Sequence, residues 1–270
     1  MPEGPEVKNM VLQLNKFLSG KTLHQIVIHS GRYSKKTPDN FSKFTKELPL
    51  KIIEVRSKGK FIWFQMEGEW TIWNTLGMTG GWKLEKDKHS HCEFILDNGK
   101  SLWFNDIRNF GTIKFCNSLE DFEKKLKSLG PDILEDDFTL EIFVTLLKQN
   151  KLKEKTLPEI FMNQKYLSGL GNYLKSEILY ESKISPYRKL GDLTGSDIEI
   201  LYKNIKKISL ASLKAGGATI RNYSNIDNEK GNYVFEFKVY QQKKDPLGNI
   251  VKKIDTKDKR TTHWVPEVQI

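Results

Sequence analysis

The chain has 270 residues, of which 38% are hydrophobic and 11% aromatic, proportions that are ordinary for a globular protein. No apolar run approaches the roughly 20 residues that a membrane helix requires. The first residues also lack the basic, apolar and small-residue segments of a secretory signal. These features argue against a membrane-bound or secreted protein, and we expect an intracellular one.

Lysine and arginine outnumber aspartate and glutamate by 44 to 34, which gives a net charge of +10. Such an excess favours a polyanionic partner, because contacts to phosphates release bound counterions. A biased composition would have the same effect, so charge alone leaves the function open. The two cysteines, Cys92 and Cys116, are too few for a disulfide framework or a four-thiolate zinc site. We predict buried thiols, no bound metal and no cofactor.

The first half of the chain predicts one helix followed by many short strands. Residues 5–18 repeat apolar side chains at helical spacing, and Ser19-Gly20 ends the pattern. Short runs rich in β-branched and aromatic residues then alternate with turns. These runs are 25–29, 52–55, 61–66, 70–74, 92–96, 101–104 and 112–116. Strands of this length and spacing predict an antiparallel β-sandwich.

In the second half the strand signal stops near Leu129-Gly130-Pro131-Asp132, and helical periodicity follows to about residue 215. The candidate helices are 139–147, 158–162, 172–181 and 196–214. Residues 234–241 and 249–254 predict a β-hairpin around Asp245-Pro246-Leu247-Gly248. The predicted fold class is therefore α+β, with domains at 1–135, 136–231 and 232–270.

The opening Met1-Pro2-Glu3-Gly4-Pro5-Glu6 offers a nucleophile, because removal of Met1 would leave Pro2 with a free secondary amine. An α-amine has a pKa of about 8, so a useful fraction is neutral at pH 7. Its attack on an aldehyde-like carbon gives an iminium ion, which favours elimination beside it. Glu3 is a candidate proton donor next to this amine. A Met-Pro start alone is weak support, since it is usually only a permissive second residue.

The segment MPEGPEV, followed at once by an amphipathic helix, resembles the start of the formamidopyrimidine-DNA glycosylase and endonuclease VIII family. Later segments match the family in the same order over nearly the whole chain. The resemblance implies a bifunctional DNA glycosylase and AP lyase of base excision repair, acting through a Schiff base with β,δ-elimination. It makes Pro2 the nucleophile and Glu3 the acid/base, and it places Glu6 near the lesion pocket.

Two regions of the predicted sandwich also match this family. Arg56-Ser57-Lys58-Gly59-Lys60-Phe61 contains Lys60, which aligns with the family's essential lysine better than Lys58 and is implied to hold the phosphate beside the lesion. The segments 76–80 and 105–111 resemble loops that push side chains into the duplex, where the gap left by a flipped nucleotide must be filled. The resemblance implies Met78 and Phe110 as the wedge and Arg108 as the partner of the orphaned base.

The segment Gln164-Lys165-Tyr166-Leu167-Ser168-Gly169-Leu170-Gly171-Asn172-Tyr173-Leu174 closely resembles the helix-two-turn-helix of the same family. Backbone N–H groups at a helix N-terminus can bind a phosphate. The resemblance implies that Asn172 contacts the phosphate beside the lesion. It also identifies 1–135 as the catalytic sandwich and 136–231 as the helix-two-turn-helix domain.

The last segment, 260–269, keeps the frame of the family's zinc ribbon but departs from it in composition. Val265 and Val268 stand at two of the cysteine positions, and the earlier pair near 245–248 is missing as well, so zinc cannot be held there. The segment therefore resembles the zincless-finger members. That resemblance implies a finger hairpin at 232–270 whose Arg260 contacts DNA.

The lesion specificity stays open between two subfamilies. Leu167–Leu174 and the missing zinc ligands resemble the side that favours oxidised pyrimidines, whereas 216–223, with Arg221 as a pocket residue, resembles the oxidised-purine side. We expect pyrimidines to be favoured, and an oxidised-purine preference is the alternative. A non-catalytic helical-hairpin DNA-binding protein is the rival from another class.

The expected partner is damaged DNA, double-stranded and for some substrates single-stranded, bound by a monomer that does not associate with membranes. Such a protein would act where DNA is, in a nucleus, a nucleoid or a viral replication site.

Overall fold

The computed structural model describes residues 2–18, 20–217 and 236–270. Met1, Arg221 and the first two residues of the predicted strand at 234–241 lie outside the described residues. The chain divides into two compact units. Among the described residues, the first unit contains Pro2 and Glu6–Lys127, and the second contains Glu3–Pro5, 128–217 and 236–270. The domain limits given above stay predictions.

Among the described residues, the first unit contains one long helix, three short helices and eight strands. The predicted helix at 5–18 is confirmed as α1, although four other elements, α2, α3, α4 and β5, were not predicted from the sequence. The elements are α1 (Gly4–Leu18), β1 (Thr22–Ile28), α2 (Arg32–Lys35), α3 (Phe41–Glu47), β2 (Leu50–Lys58), β3 (Phe61–Met66), β4 (Thr71–Thr75), β5 (Gly80–Lys83), β6 (Ser90–Leu96), β7 (Ser101–Asp106), β8 (Thr112–Cys116) and α4 (Leu119–Lys127).

The strands run antiparallel in the order β5-β7-β6-β1-β2-β3-β4-β8. The pairing of β1 with β2 covers only Thr22 with Lys51 and Leu23 with Leu50, so it joins two four-stranded halves. Rings from both halves meet in the interior. The Phe64 ring of β3 lies 5.2 Å from the Trp82 ring of β5 and 6.0 Å from the Phe94 ring of β6, measured between centroids. These contacts confirm the antiparallel sandwich.

Helix α1 buries its apolar face against this sandwich. Val7, Met10, Leu14 and Leu18 are almost fully buried, and their spacing of three and four residues puts them on one side of the helix. Burial of one such side chain stabilises the fold by roughly 1.5–3 kcal/mol. The helix is therefore held by packing along its length, which fixes the segment that follows Pro2.

The second unit is built on four helices, α5 (Leu140–Leu147), α6 (Leu157–Phe161), α7 (Asn172–Glu181) and α8 (Gly195–Lys214). All four confirm predicted helices to within one residue at each end. The Thr139 side chain caps α5, and capping boxes begin α6 at Thr156 and α8 at Thr194. Helix α7 lies in the centre of the unit, because every residue from Tyr173 to Tyr180 is buried.

A two-stranded hairpin completes this unit, formed by β9 (Lys252–Asp255) and β10 (Thr261–Trp264). The predicted pairing of 234–241 with 249–254 is wrong, since residues 236–241 form no strand. The physical reason is that the Glu177 carboxylate accepts hydrogen bonds from the backbone amides of Lys238, Val239 and Tyr240. These amides are therefore used by a side chain rather than by a neighbouring strand. The predicted turn at 245–248 is confirmed by an antiparallel bridge between residues 244 and 250.

Candidate active site and DNA interface

The Glu3 carboxylate lies at the N-terminus of α7 and is 2% exposed. Its Oε1 accepts a hydrogen bond of 2.9 Å from the Tyr173 amide, and its Oε2 accepts one of 3.3 Å from the Leu174 amide. The first turn of a helix has amide groups without intrahelical partners, and a carboxylate satisfies them well. The side chain of Glu3 is therefore fixed in position from both oxygens, directly beside Pro2 in the chain.

Position 171, directly before α7, requires a glycine because a larger residue has no room there, and not because of the backbone angles. Its φ of −143° is open to any residue, but a Cβ atom built there would overlap the Glu3 carboxylate. Glycine therefore lets the helix N-terminus approach Glu3 closely. The glycine at position 171 is therefore explained by the position of the Glu3 carboxylate.

Asn172, a predicted phosphate contact, and Arg260, a predicted DNA contact, lie next to each other in the second unit. The Asn172 amide nitrogen donates a 2.9 Å hydrogen bond to the carbonyl of Thr261, the residue that follows Arg260. The Asn172 Oδ1 atom is buried without a hydrogen-bond partner, and Arg260 is exposed. Because Glu3 uses two of the α7 amides, a phosphate bound here would depend more on side chains than the sequence predicts.

Met78, Arg108 and Phe110, the predicted wedge residues, form one cluster in the first unit. The Arg108 guanidinium lies 4.7 Å from the centroid of the Phe110 ring, and its Nη1 atom lies 3.0 Å from the Met78 sulfur. The Phe110 side chain is 53% exposed, although the ring is large and apolar. A large aromatic ring that is half exposed and stacked against a cation does not belong to a hydrophobic core. Such a ring suits insertion between stacked bases.

A buried carboxylate that sequence reasoning missed holds this cluster. Asp106 accepts hydrogen bonds from the Thr79 hydroxyl and from the backbone amides of Arg108 and Gly111. The Thr79 hydroxyl in turn accepts from the Arg108 amide at 2.9 Å. The two wedge loops are thus tied together through Asp106. An aspartate at the start of a turn is the signal that could have identified it.

Lys60 occupies the two-residue turn between β2 and β3, where Gly59 adopts a φ of 58°. The nearby Lys58 donates to the carbonyl of Leu126 near the C-terminal end of α4. Such a helix end favours a cation, so Lys58 has a structural role. This contact supports Lys60, rather than Lys58, as the candidate for the phosphate beside the lesion.

The remaining predicted site residues are placed as follows. Pro2 is buried, and Glu6 is completely buried on α1. Arg221 lies outside the described residues. Met78, Arg108 and Phe110 are brought together in one unit, and Glu3, Asn172 and Arg260 lie in the other.

The residues present do not fit a zinc ion in the finger. Val265 is fully buried against Val239, Val251 and Tyr180, and Val268 packs on this cluster. Among the described residues, no group of three or more His, Cys, Asp or Glu side chains is arranged to hold a metal ion. Hydrophobic packing thus occupies the place where the ribbon pattern would require thiolates.

Both cysteines are free and buried, as predicted. Burial raises the pKa of the Cys92 thiol to about 12, so it stays protonated at neutral pH. The adjacent His91 bonds to the Ser30 hydroxyl and to the Asp106 carbonyl, which gives it a structural role.

Because of His263, a histidine of the finger hairpin, we expect the folded protein to become less stable in acid. Burial, followed by the charges of Lys253 and Lys175, lowers its pKa from 6.5 to about 4. The folded state thus excludes a proton that the unfolded chain binds. The free energy of unfolding should therefore fall by up to about 3 kcal/mol as the pH drops from 6.5 to 4. Urea unfolding at several pH values measures this loss, and His263→Phe should reduce it. An equal loss in wild type and variant would contradict the assignment.

A cleft of about 650 Å³ in the first unit contains none of the predicted site residues that the structure describes. Aromatic and basic side chains line it, including Phe61, Trp73, Lys114 and Lys125. Lys114 lies over the Trp73 ring and Lys125 over the Phe61 ring. We assign no role to this cleft.

No helix within the described residues is long and apolar enough to cross a membrane.

Three family models match consecutive parts of the chain. They are the formamidopyrimidine-DNA glycosylase N-terminal domain at residues 1–113, its H2TH domain at 129–224 and its C-terminal domain at 225–270. The formamidopyrimidine-DNA glycosylase of Listeria monocytogenes is 33% identical over 279 aligned positions, which cover 100% of both chains.

Solved structures show the same likeness. The MutM (Fpg) protein of Thermus thermophilus superposes with a TM-score of 0.86 at 27% identity, over 99% of this chain and 98% of that one. The Lactococcus lactis Fpg protein, in complex with DNA containing an oxidised pyrimidine, superposes with a TM-score of 0.84 at 26% identity, over 99% of both chains.

Proposed function

We propose that this chain, which belongs to the formamidopyrimidine-DNA glycosylase family, excises oxidised bases from DNA and then cuts the strand at the abasic site. One observation carries the proposal. The Glu3 carboxylate, which follows Pro2 directly in sequence, is held by two amides at the N-terminus of α7, the helix that begins with Asn172. The proposed acid/base and a proposed phosphate-binding side chain thus lie at one helix end, and the proposed nucleophile is the residue before the acid/base in the chain.

In this mechanism, the Pro2 nitrogen attacks C1′ of the damaged nucleotide, and the bond from C1′ to the base breaks. The base leaves with the electron pair of that bond, and Glu3 provides or relays the proton needed to open the sugar. The resulting iminium ion draws electrons from C2′, so loss of a proton there expels the 3′ phosphate by β-elimination. A further elimination releases the 5′ phosphate. Lys60 holds a phosphate beside the lesion throughout.

Binding of damaged DNA is proposed to use two surfaces. Asn172 and the exposed Arg260 would contact phosphates beside the lesion, where cations and amide donors set position rather than sequence. The cluster of Met78, Arg108 and Phe110 would enter the duplex and replace the flipped nucleotide. Glu6 and Arg221 are proposed for the lesion pocket. The relative named above that was solved with DNA supports this class of partner for the family.

The proposed substrates are oxidised bases of both classes, and the preference for pyrimidines stays a prediction. The name of the Listeria relative refers to ring-opened purines, whereas the Lactococcus protein was solved with an oxidised pyrimidine. Single-turnover excision of thymine glycol, 8-oxoguanine and formamidopyrimidine from matched duplexes decides between them. We expect pyrimidine lesions to be released fastest. Activity confined to the purine lesions would instead favour the oxidised-purine alternative.

A non-catalytic DNA-binding protein is the weaker candidate. Such a protein would need phosphate contacts such as those proposed for Asn172 and Arg260, but neither an amine at Pro2 nor a carboxylate next to it in the chain. Trapping with borohydride on abasic DNA separates the two functions, because only the lyase forms a covalent adduct.

A further inference from the structure

We propose that the buried ion pair between Lys175 and Asp258 positions Arg260 for its DNA phosphate, doing in this chain what a bound metal would do for a ribbon hairpin. The inference rests on the proposed function, in which Arg260 contacts DNA. It makes Lys175 and Asp258 positioning residues rather than catalytic ones.

The pair is unusual for its burial. The Lys175 side chain on α7 is 0% exposed and the Asp258 side chain is 2% exposed, with 2.8 Å between Nζ and Oδ2. Lysine is almost never fully buried unless it is paired. Burial lowers the pKa of Lys175, and the Asp258 carboxylate opposes that shift. Asp258 therefore stabilises the charged form of Lys175, to which the charges of Glu3 and Arg260 also contribute with opposite signs.

Asp258 lies in the turn that joins β9 to β10 and carries Arg260. The Arg260 carbonyl accepts from the Thr256 amide and hydroxyl, and the Lys259 amide donates to the Thr256 carbonyl. The Thr256 hydroxyl also contacts the Asp258 carboxylate. Lys259 adopts a φ of 59°, a left-handed conformation that few residues other than glycine take. This compact turn is therefore anchored to α7 through Asp258.

Three contacts connect α7 to this hairpin. Asn172 binds the Thr261 carbonyl, Lys175 binds Asp258, and the Ser176 hydroxyl accepts from the His263 amide at 3.3 Å. Residues 175 and 176 lie three and four positions after residue 172, so both neighbour it on the helix surface. The contacts thus set where the strand before and after Arg260 lies along α7, next to Asn172.

The valine cluster cannot provide this positioning by itself. Val251 precedes β9 and Val265 follows β10, so the cluster that they form with Val239 lies at the end of the hairpin opposite the turn. Hydrophobic packing is also not directional. An ion pair with a short, defined distance is directional, so it can fix the turn. Replacing a buried pair by two apolar residues is often neutral for stability, so stability alone does not account for this pair, whereas fixing the position of the turn does.

The test compares Arg260→Gln with the double variant Lys175→Met/Asp258→Leu, which removes the pair without leaving an isolated charge. Binding is measured to a duplex with a tetrahydrofuran abasic analogue. Loss of one charge-assisted phosphate contact should weaken binding about 10-fold in each variant. The triple variant should bind no worse than Arg260→Gln alone, because both changes act through Arg260. Thermal unfolding and circular dichroism check that each variant is folded.

An exposed ion pair of the same unit supplies the matched control. Lys189 and Glu154 are 2.7 Å apart but largely exposed, so Lys189→Met/Glu154→Leu should bind DNA like the wild type. A folded Lys175→Met/Asp258→Leu variant with wild-type binding, or effects that multiply in the triple variant, would overturn the inference. Wild-type binding by Arg260→Gln would also overturn it, while excision by the wild-type enzyme, measured alongside, shows whether the proposed glycosylase itself stands.

Discussion

A chain that keeps one extra residue before Pro2 is expected to lose base excision and strand cleavage by a factor on the order of 10³ or more. The extension converts the secondary amine into an amide, whose nitrogen cannot attack C1′. DNA binding should change little, because Asn172, Arg260 and the wedge cluster are untouched. Single-turnover excision and borohydride trapping on lesion-containing duplexes measure the loss, and binding to the abasic analogue is measured in parallel.

Pro2→Ala is the matched control for this result. It keeps a free terminal amine, although a primary one, and a primary amine forms an imine that must be protonated before it acts as an electron sink. We expect intermediate activity and a detectable adduct. Wild-type trapping by the extended chain would show that another nucleophile, such as a lysine, forms the adduct, and the assignment of Pro2 would be wrong.

Replacement of Glu3 by glutamine is expected to lower excision by about 10²- to 10⁴-fold, the usual range for loss of a positioned general acid or base. Glutamine has nearly the same size and can still accept from one α7 amide. Its NH₂ group cannot accept from the other amide and cannot transfer the proton. Single-turnover excision, with binding to the abasic analogue as the reference, separates the chemical step from DNA affinity.

Gly171→Ala tests the same site by geometry alone. The added methyl group would overlap the Glu3 carboxylate, so the side chain or the helix N-terminus must shift, and we expect a loss that approaches that of Glu3→Gln. Glu199→Gln on α8, an exposed position, should leave excision unchanged. Full activity in Gly171→Ala would mean that the fixed position of Glu3 is not needed for catalysis.

The helices of the second unit were the part of the fold that the sequence predicted best. Helix α7 was predicted with both ends correct, because the glycine turn before Asn172 and the apolar spacing after it are local signals. The hairpin was predicted with the wrong strands. Its outcome depends on Glu177, whose carboxylate lies 61 residues from Lys238 in sequence and binds the amides that a strand would have used.

The candidate site divides in the same way. The motifs identified Pro2, Glu3, Lys60, Asn172 and Arg260 as candidates by residue type and order, and their catalytic and binding roles stay predictions. Sequence reasoning missed Asp106 and Lys175, because a carboxylate in a turn and a lysine in a helix are usually solvated. Only burial distinguishes them from the many other charged residues of this chain.

By itself, the sequence determined which side chains are available for chemistry, since the proline at position 2, the neighbouring glutamate and the valines at positions 265 and 268 are all properties of single positions. The tertiary structure decided which charged groups are held and by what. Glu3 is bound by α7, and Lys175 and Asp258 face each other across 83 residues of chain. Such pairs form because desolvation makes an unpartnered buried charge costly, and desolvation depends on packing between segments that are distant in sequence.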